Sequence, residues 1–356
     1  MKKYQKLVVL STLVCLNTAA YSAENVINVT VPKAPDAPKV EAVVPTVNLI
    51  VEGKTVSEKS LSSTQEGTAK NEKSGVDAEF FKSKRFPPNY NKKEGEKLVK
   101  KVEVGEVDND RIAAYLQGIL LTKDEAKAKL EAAGFTVLAT YKVDKKGKMT
   151  SMVFTDQNMT TAASKSSRGF AASLRLLVDE KNNQISISNP LYVMKAFMQD
   201  DYDDALALAT LKRLRDNFEG LKNSKDVVKY IRLPRYKFMN SMPVYEDMKI
   251  VSSGTNADLL AKARKSKKIV FEQKLDNGST LIGVQLGRRT SKFVKKTGYQ
   301  NSELLPYPIL IENGKAKILA PKYYIAVMYP LLSMSEFMTI ATVPGAISKD
   351  CDKIFR

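Results

Sequence analysis

Residues 137–144 read VLATYKVD, and residues 269–276 read IVFEQKLD. These two stretches share one pattern of apolar and polar residues, and so do PLYVMKAF at 190–197 and PKYYIAVM at 321–328. Both pairs are about 131 to 133 residues apart, and the helix and strand patterns around them follow the same order. A period of this length indicates two duplicated domains, because solenoid repeats are only about 20 to 50 residues long.

The first copy shows local signals for a helix, four strands and further helices. Thr122 and Glu125 fit a capping box that starts a helix, and Asn189-Pro190 fits the N-cap and first position of another. A helix is also predicted at 160–167. Strands are predicted at residues 136–144, 149–155, 174–179 and 184–188.

The second copy repeats these signals in the same order. A helix begins after Thr255, and Asn277-Gly278 and Asn313-Gly314 are strong hairpin turns. The predicted strands are 268–276, 280–286, 307–312 and 315–319. Residues 220–247 link the copies, and we expect them to supply the first strand of the second copy.

This order of elements predicts an α+β fold. We expect two similar domains, each a small, mostly antiparallel sheet with helices packed on one face. The first domain is assigned to 108–222 and the second to 232–356.

The N-terminal residues 1–23 have the pattern of a signal peptide. Three early lysines precede an apolar run at 7–16, and small residues allow cleavage after Ser22 or Ala23. A short membrane anchor and a lipoprotein signal at Cys15 are the alternatives. Cleavage would leave Cys351 as the one cysteine, so no intramolecular disulfide could form. The expected location is the periplasm of a Gram-negative envelope, or the exterior.

Residues 24–107 have the composition of a flexible tether. Prolines recur first, and a stretch rich in Ser, Thr, Gly, Lys and Glu follows. The segment carries 14 basic and 13 acidic residues, so it is not a basic arm for nucleic acid.

Composition excludes several chemistries. The 356 residues include no histidine, which rules out Ser-His-Asp and Cys-His catalysis, histidine-ligated metals and axial-histidine haem. The net charge is +18. Residues 232–356 hold 21 bases and 10 acids, whereas 108–231 hold 19 bases and 16 acids. The surplus fits an anionic partner, although a solvated basic surface would have the same composition.

Two stretches resemble a known family. RGFAASLRLLVDE at 168–180, followed by ISISNP at 185–190, resembles the second half of the domain of unknown function 302, and so does LPYPILIE at 305–312 with AKILAPKYY at 316–324. The resemblance implies a compact α+β fold that pairs with another copy, so that a tandem chain carries its dimer internally. It implies no activity and no catalytic residues.

Candidate ligand-binding residues come from a basic cluster at 288–296, from an aromatic stripe that begins at Tyr323, and from the stretches that resemble the family. Arg288-Arg289 follows a strand and could grip a small oxyanion by bidentate contacts. The candidates are Arg168, Arg175, Asn189, Arg288, Arg289, Lys322 and Tyr323.

Two other clusters are interpreted more simply. Four aspartates within 200–204 could hold Ca²⁺, but an acidic helix start explains them better because the calcium-loop pattern is incomplete. The stripe of Tyr323, Tyr324, Met328 and Tyr329 could line a pocket or a dimer face, although such stripes are typical of a core.

These observations favour an exported module that binds or senses a small molecule or an anion in the cleft between the copies. An envelope scaffold and an enzyme that works without histidine are the open alternatives. We expect no cofactor, no metal, no nucleic-acid partner and no membrane span in the mature chain. A small anionic ligand or an anionic envelope component is the expected partner, and a homodimer is left open.

Overall fold

Two large antiparallel β-sheets and one two-stranded sheet organise the part of the chain that this computed structural model describes, residues 102–356. The predicted signal peptide and nearly all of the predicted tether lie outside the described residues. All described residues belong to one compact unit.

The first lobe contains eight short strands and four α-helices among the described residues. The strands are β1 (Arg111–Ala113), β2 (Tyr115–Ile119), β3 (Thr136–Lys142), β4 (Met149–Thr155), β5 (Leu174–Asp179), β6 (Gln184–Ser188), β7 (Lys222–Asn223) and β8 (Val227–Lys229). The helices are α1 (Lys123–Ala132), α2 (Gln157–Ala162), α3 (Pro190–Met198) and α4 (Asp204–Asn217).

The second lobe contains five strands and five α-helices. The strands are β9 (Lys249–Ser253), β10 (Ile269–Lys274), β11 (Thr280–Val284), β12 (Tyr307–Glu312) and β13 (Lys315–Ile318). The helices are α5 (Asn256–Lys265), α6 (Val294–Thr297), α7 (Pro321–Met328), α8 (Met334–Thr339) and α9 (Val343–Asp352). Short 3-10 turns occur at Gly169–Ala171, Gln199–Asp201, Tyr230–Arg232, Thr290–Phe293, Ser302–Leu304 and Lys353–Phe355.

Both lobes order their sheets in the same way, except that the first sheet has one additional edge strand, β7. The first sheet runs β3-β4-β5-β6-β2-β7, and the second runs β10-β11-β12-β13-β9. Every neighbouring pair in these sheets is antiparallel. The predicted α+β class with antiparallel sheets is therefore confirmed. The superposition of one lobe on the other, which a duplication requires, stays a prediction.

Local chemistry sets the ends of several elements. The Thr122 hydroxyl accepts a hydrogen bond from the Glu125 amide, and the Glu125 carboxylate accepts one from the Thr122 amide at 2.8 Å, so the predicted capping box starts α1. Asn189 caps α3 by accepting from the Leu191 amide at 3.1 Å. In the β12–β13 hairpin, Asn313 and Gly314 both have positive φ, at 51° and 71°, as a two-residue type I′ turn requires.

Two predicted elements differ in the structure. Helix α2 covers 157–162 rather than 160–167, because Asp156 accepts from the Met159 amide at 2.7 Å and starts the helix earlier. Residues 220–247 do not supply the first strand of the second lobe. Their two strands, β7 and β8, pair instead with β2 and β1 of the first lobe, and β9 is the strand that pairs with β13.

The lobes share one core and a reciprocal contact. Buried apolar side chains from both form a single hydrophobic cluster. Across the junction of α3 and α7, the Tyr192 hydroxyl donates to the Val327 carbonyl at 2.7 Å, and the Tyr323 hydroxyl reaches the Ala196 carbonyl at 3.5 Å. These four residues occupy matching positions in PLYVMKAF and PKYYIAVM, so the contact has the exchange pattern of a two-fold interface.

The described end of the predicted tether lies against the first lobe. The Gly105 amide donates to Asn223 Oδ1 at 2.7 Å, and Asn189 Nδ2 donates to the Gly105 carbonyl at 2.9 Å. Among the helices of residues 102–356, none combines the length and the apolar character needed to cross a bilayer.

Candidate functional site

A cleft of about 500 Å³ lies between the two lobes. One wall is the turn between β3 and β4 together with the β5–β6 hairpin, and the other is the segment 288–299 that follows β11. Six cationic side chains line it, three from each lobe: Lys145, Lys146, Lys181, Arg288, Lys292 and Lys295. Asp144 is the one carboxylate in this lining.

A second cavity adjoins the first and extends the same charge. Its volume is about 530 Å³, it shares Asp144, Lys145 and Arg288 with the first, and it adds Lys142 and Lys268. We refer to both cavities together as the basic cleft. Its eight cationic side chains face a single lining carboxylate.

That carboxylate is already occupied by contacts within the first lobe. Asp144 Oδ1 accepts from the Met149 amide at 3.2 Å, and Lys181 Nζ lies 3.4 Å from Asp144 Oδ2. Lys181 also lies over the Tyr299 ring of the second lobe, 3.8 Å from its centroid. Within residues 102–356, none of the other seven cations of the cleft has a carboxylate within 4.0 Å. The cleft therefore presents a strong excess of positive charge.

A buried aspartate fixes the loop that carries Arg288. The Asp350 carboxylate accepts from the Gly287 amide at 2.9 Å and from the Thr290 hydroxyl at 2.6 Å. Lys353 lies 3.7 Å from the same carboxylate. Residues 287–290 are therefore anchored to α9. This link could not be predicted from the sequence, because the partners are about 60 residues apart.

The matching junction on the other side of the lobe interface is closed. Asp276, which aligns with Asp144, accepts from the Thr161 hydroxyl of α2 at 2.7 Å. The Asp276 amide donates to Ser164 Oγ at 2.9 Å, and Gln157 Nε2 lies 3.4 Å from the Asp276 carboxylate. Direct hydrogen bonds between the lobes fill this place, whereas the basic cleft stays open.

Four of the seven predicted site residues are cations: Arg288, Arg289 and Lys322 are exposed, and Arg168 is half-buried. Arg288 lines the basic cleft, and its role in gripping an oxyanion stays a prediction. Arg289 and Lys322 are exposed and lie outside the lining of the cleft. Arg168 is tied into ion pairs, since its Nε donates to Asp201 at 2.9 Å and its Nη1 to Glu246 at 3.1 Å. The bond from Arg168 lowers the pKa of Asp201.

The other three predicted site residues are buried and hold the fold. Arg175 Nη2 donates to the Pro306 carbonyl at 3.2 Å, across the lobe interface. Asn189 caps α3, and its Nδ2 also donates to the Ala113 carbonyl at 2.8 Å. Tyr323 belongs to the reciprocal contact between α3 and α7. None of the three lies in the basic cleft.

Sequence reasoning missed the lysines of the first lobe that complete the cleft. Lys145 and Lys146 lie between β3 and β4, and Lys181 lies in the β5–β6 hairpin, where the sequence pattern indicates only turns. The clustering of Lys145 and Lys146 beside a turn glycine was the available signal. It could not be used without knowing that segment 288–299 faces that turn.

The remaining candidate groups have structural roles. Asp203 caps α4 by accepting from the Leu206 amide at 3.1 Å, as expected for an acidic helix start. Tyr324, Met328 and Tyr329 are buried in the core. Cys351 is buried as well, and burial raises the pKa of its thiol. Across residues 102–356, no three Cys, Asp or Glu side chains gather closely enough to hold a metal ion.

Scans of this chain against family models, curated proteins and solved structures gave no match.

Proposed function

We propose that this protein binds a small polyanionic molecule in the basic cleft, as a binding or sensing module. One observation carries the proposal: both lobes contribute cations to a single concave site, where eight positive side chains accompany one carboxylate. Concave walls of one charge concentrate ligands of the opposite charge. The volume of the cleft falls within the usual range for small-molecule sites, about 300 to 1,000 Å³.

The side chains that line the cleft indicate which chemical groups the ligand carries. Arg288 can hold a phosphate or carboxylate group by two parallel hydrogen bonds, and the lysines add point charges around it. Val143, Val294 and Tyr299 supply apolar surface next to these cations. A molecule with two or more anionic groups, spaced to reach both lobes, fits this arrangement best.

We propose further that the protein is exported and that its lobes are duplicated domains similar to the domain of unknown function 302. The common strand order and the reciprocal tyrosine contacts support the duplication. The signal-like pattern of residues 1–23 supports export to the periplasm. In this interpretation the two junctions are equivalent in origin, and they now differ because hydrogen bonds close one and lysines line the other.

Titration calorimetry with pyrophosphate, tripolyphosphate and citrate tests the binding proposal. The variant Lys145→Gln/Arg288→Gln removes one cation from each lobe, and we expect it to bind the preferred anion at least about tenfold more weakly. Arg289→Gln is the matched control, because Arg289 is exposed beside Arg288 but outside the cleft lining. Its affinity should stay within about twofold of the unmodified protein.

Two results would count against the proposal. Equal weakening by Arg289→Gln would mean that general surface charge, not the cleft, attracts the anion. Absence of binding for all three probes, together with native mass spectra of protein from its host that show no bound small molecule, would remove the basis for a ligand site.

A further inference from the structure

A cluster of exposed apolar side chains lies in the second lobe. Leu331, Met334 and Met338 have 57%, 38% and 62% of their surface exposed. The other large apolar side chains with comparable exposure are spread along the described chain, at Val102, Ile119, Ile231, Met239 and Ile250. We refer to Leu331, Met334 and Met338 as the Leu/Met patch.

The patch is presented by a well-anchored element. Ser333 and Glu336 form a capping box that starts α8, with Glu336 Oε2 accepting from the Ser333 amide at 2.8 Å. Leu332 and Phe337, on either side of the cap, are both buried, as in a hydrophobic staple. Met334 and Met338 are four residues apart, so they share one face of the helix. The exposed face is therefore held outward by the packing beneath it.

One lysine contacts the end of this helix. Lys296 of α6 donates to the Thr339 carbonyl at the end of α8, at 3.0 Å. Lys292 and Lys295 lie on the same segment, and both are exposed. On α8 itself, the carboxylate of Glu336 is engaged in the cap. Lys296 therefore places a positive charge at the C-terminal end of α8, where Met338 lies.

We infer that the Leu/Met patch docks on an anionic lipid surface. Leucine and methionine side chains next to lysines are typical of interfacial membrane binding, where apolar groups enter the headgroup layer and cations meet anionic lipids. The residues that dominate binding in protein interfaces are most often aromatic side chains or arginine. The patch instead consists of aliphatic and thioether side chains. The inference does not depend on the ligand of the basic cleft.

Co-sedimentation with lipid vesicles tests this inference on the full mature chain. We expect binding to phosphatidylcholine vesicles that contain about 30% phosphatidylglycerol, and far less binding to pure phosphatidylcholine. Added salt should weaken it. The variant Leu331→Gln/Met338→Gln should lower partitioning at least about tenfold, since two apolar side chains no longer enter the headgroup layer.

Two further variants test whether the Leu/Met patch is the surface that binds the vesicles. Ile231→Gln removes an apolar side chain that is 82% exposed elsewhere, and it should bind vesicles like the unmodified protein. Lys145→Gln/Arg288→Gln should also keep its vesicle binding, because it alters only the basic cleft.

Several outcomes would overturn the inference. These are a lack of vesicle binding, equal binding to neutral vesicles, and an equal loss in Ile231→Gln. Loss of binding in the cleft variant with retention in the patch variant would show a headgroup in the cleft instead. A concentration-dependent dimer that disappears in the patch variant, without vesicle binding, would show that a second copy covers the patch.

Discussion

Glu303 lies where the two lobes meet, in the 3-10 turn Ser302–Leu304. Its carboxyl group is fully buried, and the Ser188 hydroxyl of the first lobe donates to it at 2.9 Å. Burial raises the pKa of this carboxyl well above its usual range, while hydrogen bonds from serines and the charge of Arg175 act in the opposite direction. Because burial removes the hydration that stabilises a charged carboxylate, the neutral acid is favoured.

The raised pKa makes stability depend on pH in a defined direction. The unfolded carboxyl ionises near pH 4.3, whereas the folded one keeps its proton to higher pH, so this group reduces stability as the pH rises between those two values. Glu303→Gln imitates the neutral acid. We expect the variant to match the unmodified protein near pH 4 and to become relatively more stable by up to about 1.4 kcal/mol per pH unit above it. Urea unfolding at pH 4, 6 and 8 measures the difference, and a constant or reversed difference would contradict it.

Substitutions at Asp350 can separate its effect on the position of the loop 287–290 from the effect of its charge on anion binding. Replacing Asp350 with alanine removes both hydrogen bonds that hold residues 287–290, and the cost to stability should be about 1 to 3 kcal/mol. By Coulomb's law alone, losing a carboxylate near the basic cleft would strengthen anion binding. We expect the opposite in Asp350→Ala, a severalfold weaker affinity for the preferred anion, because Arg288 loses its fixed position.

Asp350→Asn is the control for this prediction. An asparagine oxygen can still accept from the Gly287 amide and the Thr290 hydroxyl, so calorimetry should show affinity restored at least to that of the unmodified protein. If the alanine variant binds more tightly than the unmodified protein, Asp350 acts through its charge and not by placing the loop.

Elements that depend on neighbouring residues could be predicted from the sequence. Capping at Thr122 and Asn189, and the turn at Asn313-Gly314, are decided within a few residues, and the structure contains all of them. Strands β7 and β8 could not be predicted, because two or three residues carry no periodic pattern. Pairing with distant strands of the first lobe creates them.

The basic cleft was only partly predictable for a similar reason. Charge counts placed the surplus of cations in the second lobe, and Arg288 does line the cleft. Arg175 and Asn189 carry the same donors as binding residues, but burial commits those donors to carbonyl groups of the fold. Sequence alone cannot distinguish a donor that meets a ligand from one that meets the backbone.

The β12–β13 hairpin offers a test at the scale of one element. Gly314 has a φ of 71°, and a Cβ there would lie 2.9 Å from the Gly254 carbonyl oxygen. Gly314→Ala should therefore destabilise the protein by about 1 to 3 kcal/mol in urea unfolding. Gly345→Ala, in the first turn of α9 with open space around it, is the matched control and should be neutral or stabilise by up to about 1 kcal/mol. Equal effects of the two substitutions would refute the argument from backbone conformation.

At the scale of the whole molecule, the lobes combine symmetry with one departure from it. The strand order and the contacts between α3 and α7 repeat across the interface. The two junctions beside Asp144 and Asp276 do not, since hydrogen bonds close the second and lysines line the first. The repeated contacts hold the lobes together, and the open junction is the place where we propose that the ligand binds.

A single hydrophobic cluster through both lobes predicts that they unfold together. The chain contains no tryptophan, so Tyr141→Trp in the first lobe and Phe337→Trp in the second each give a fluorescence signal from one lobe. We expect both signals and the far-ultraviolet circular dichroism to share one urea midpoint. Adding Tyr192→Phe, which leaves the Val327 carbonyl without its donor, should lower stability by about 1 kcal/mol and move both midpoints equally. Separate midpoints, or a shift confined to the first lobe, would mean that the lobes fold independently and that their interface contributes little.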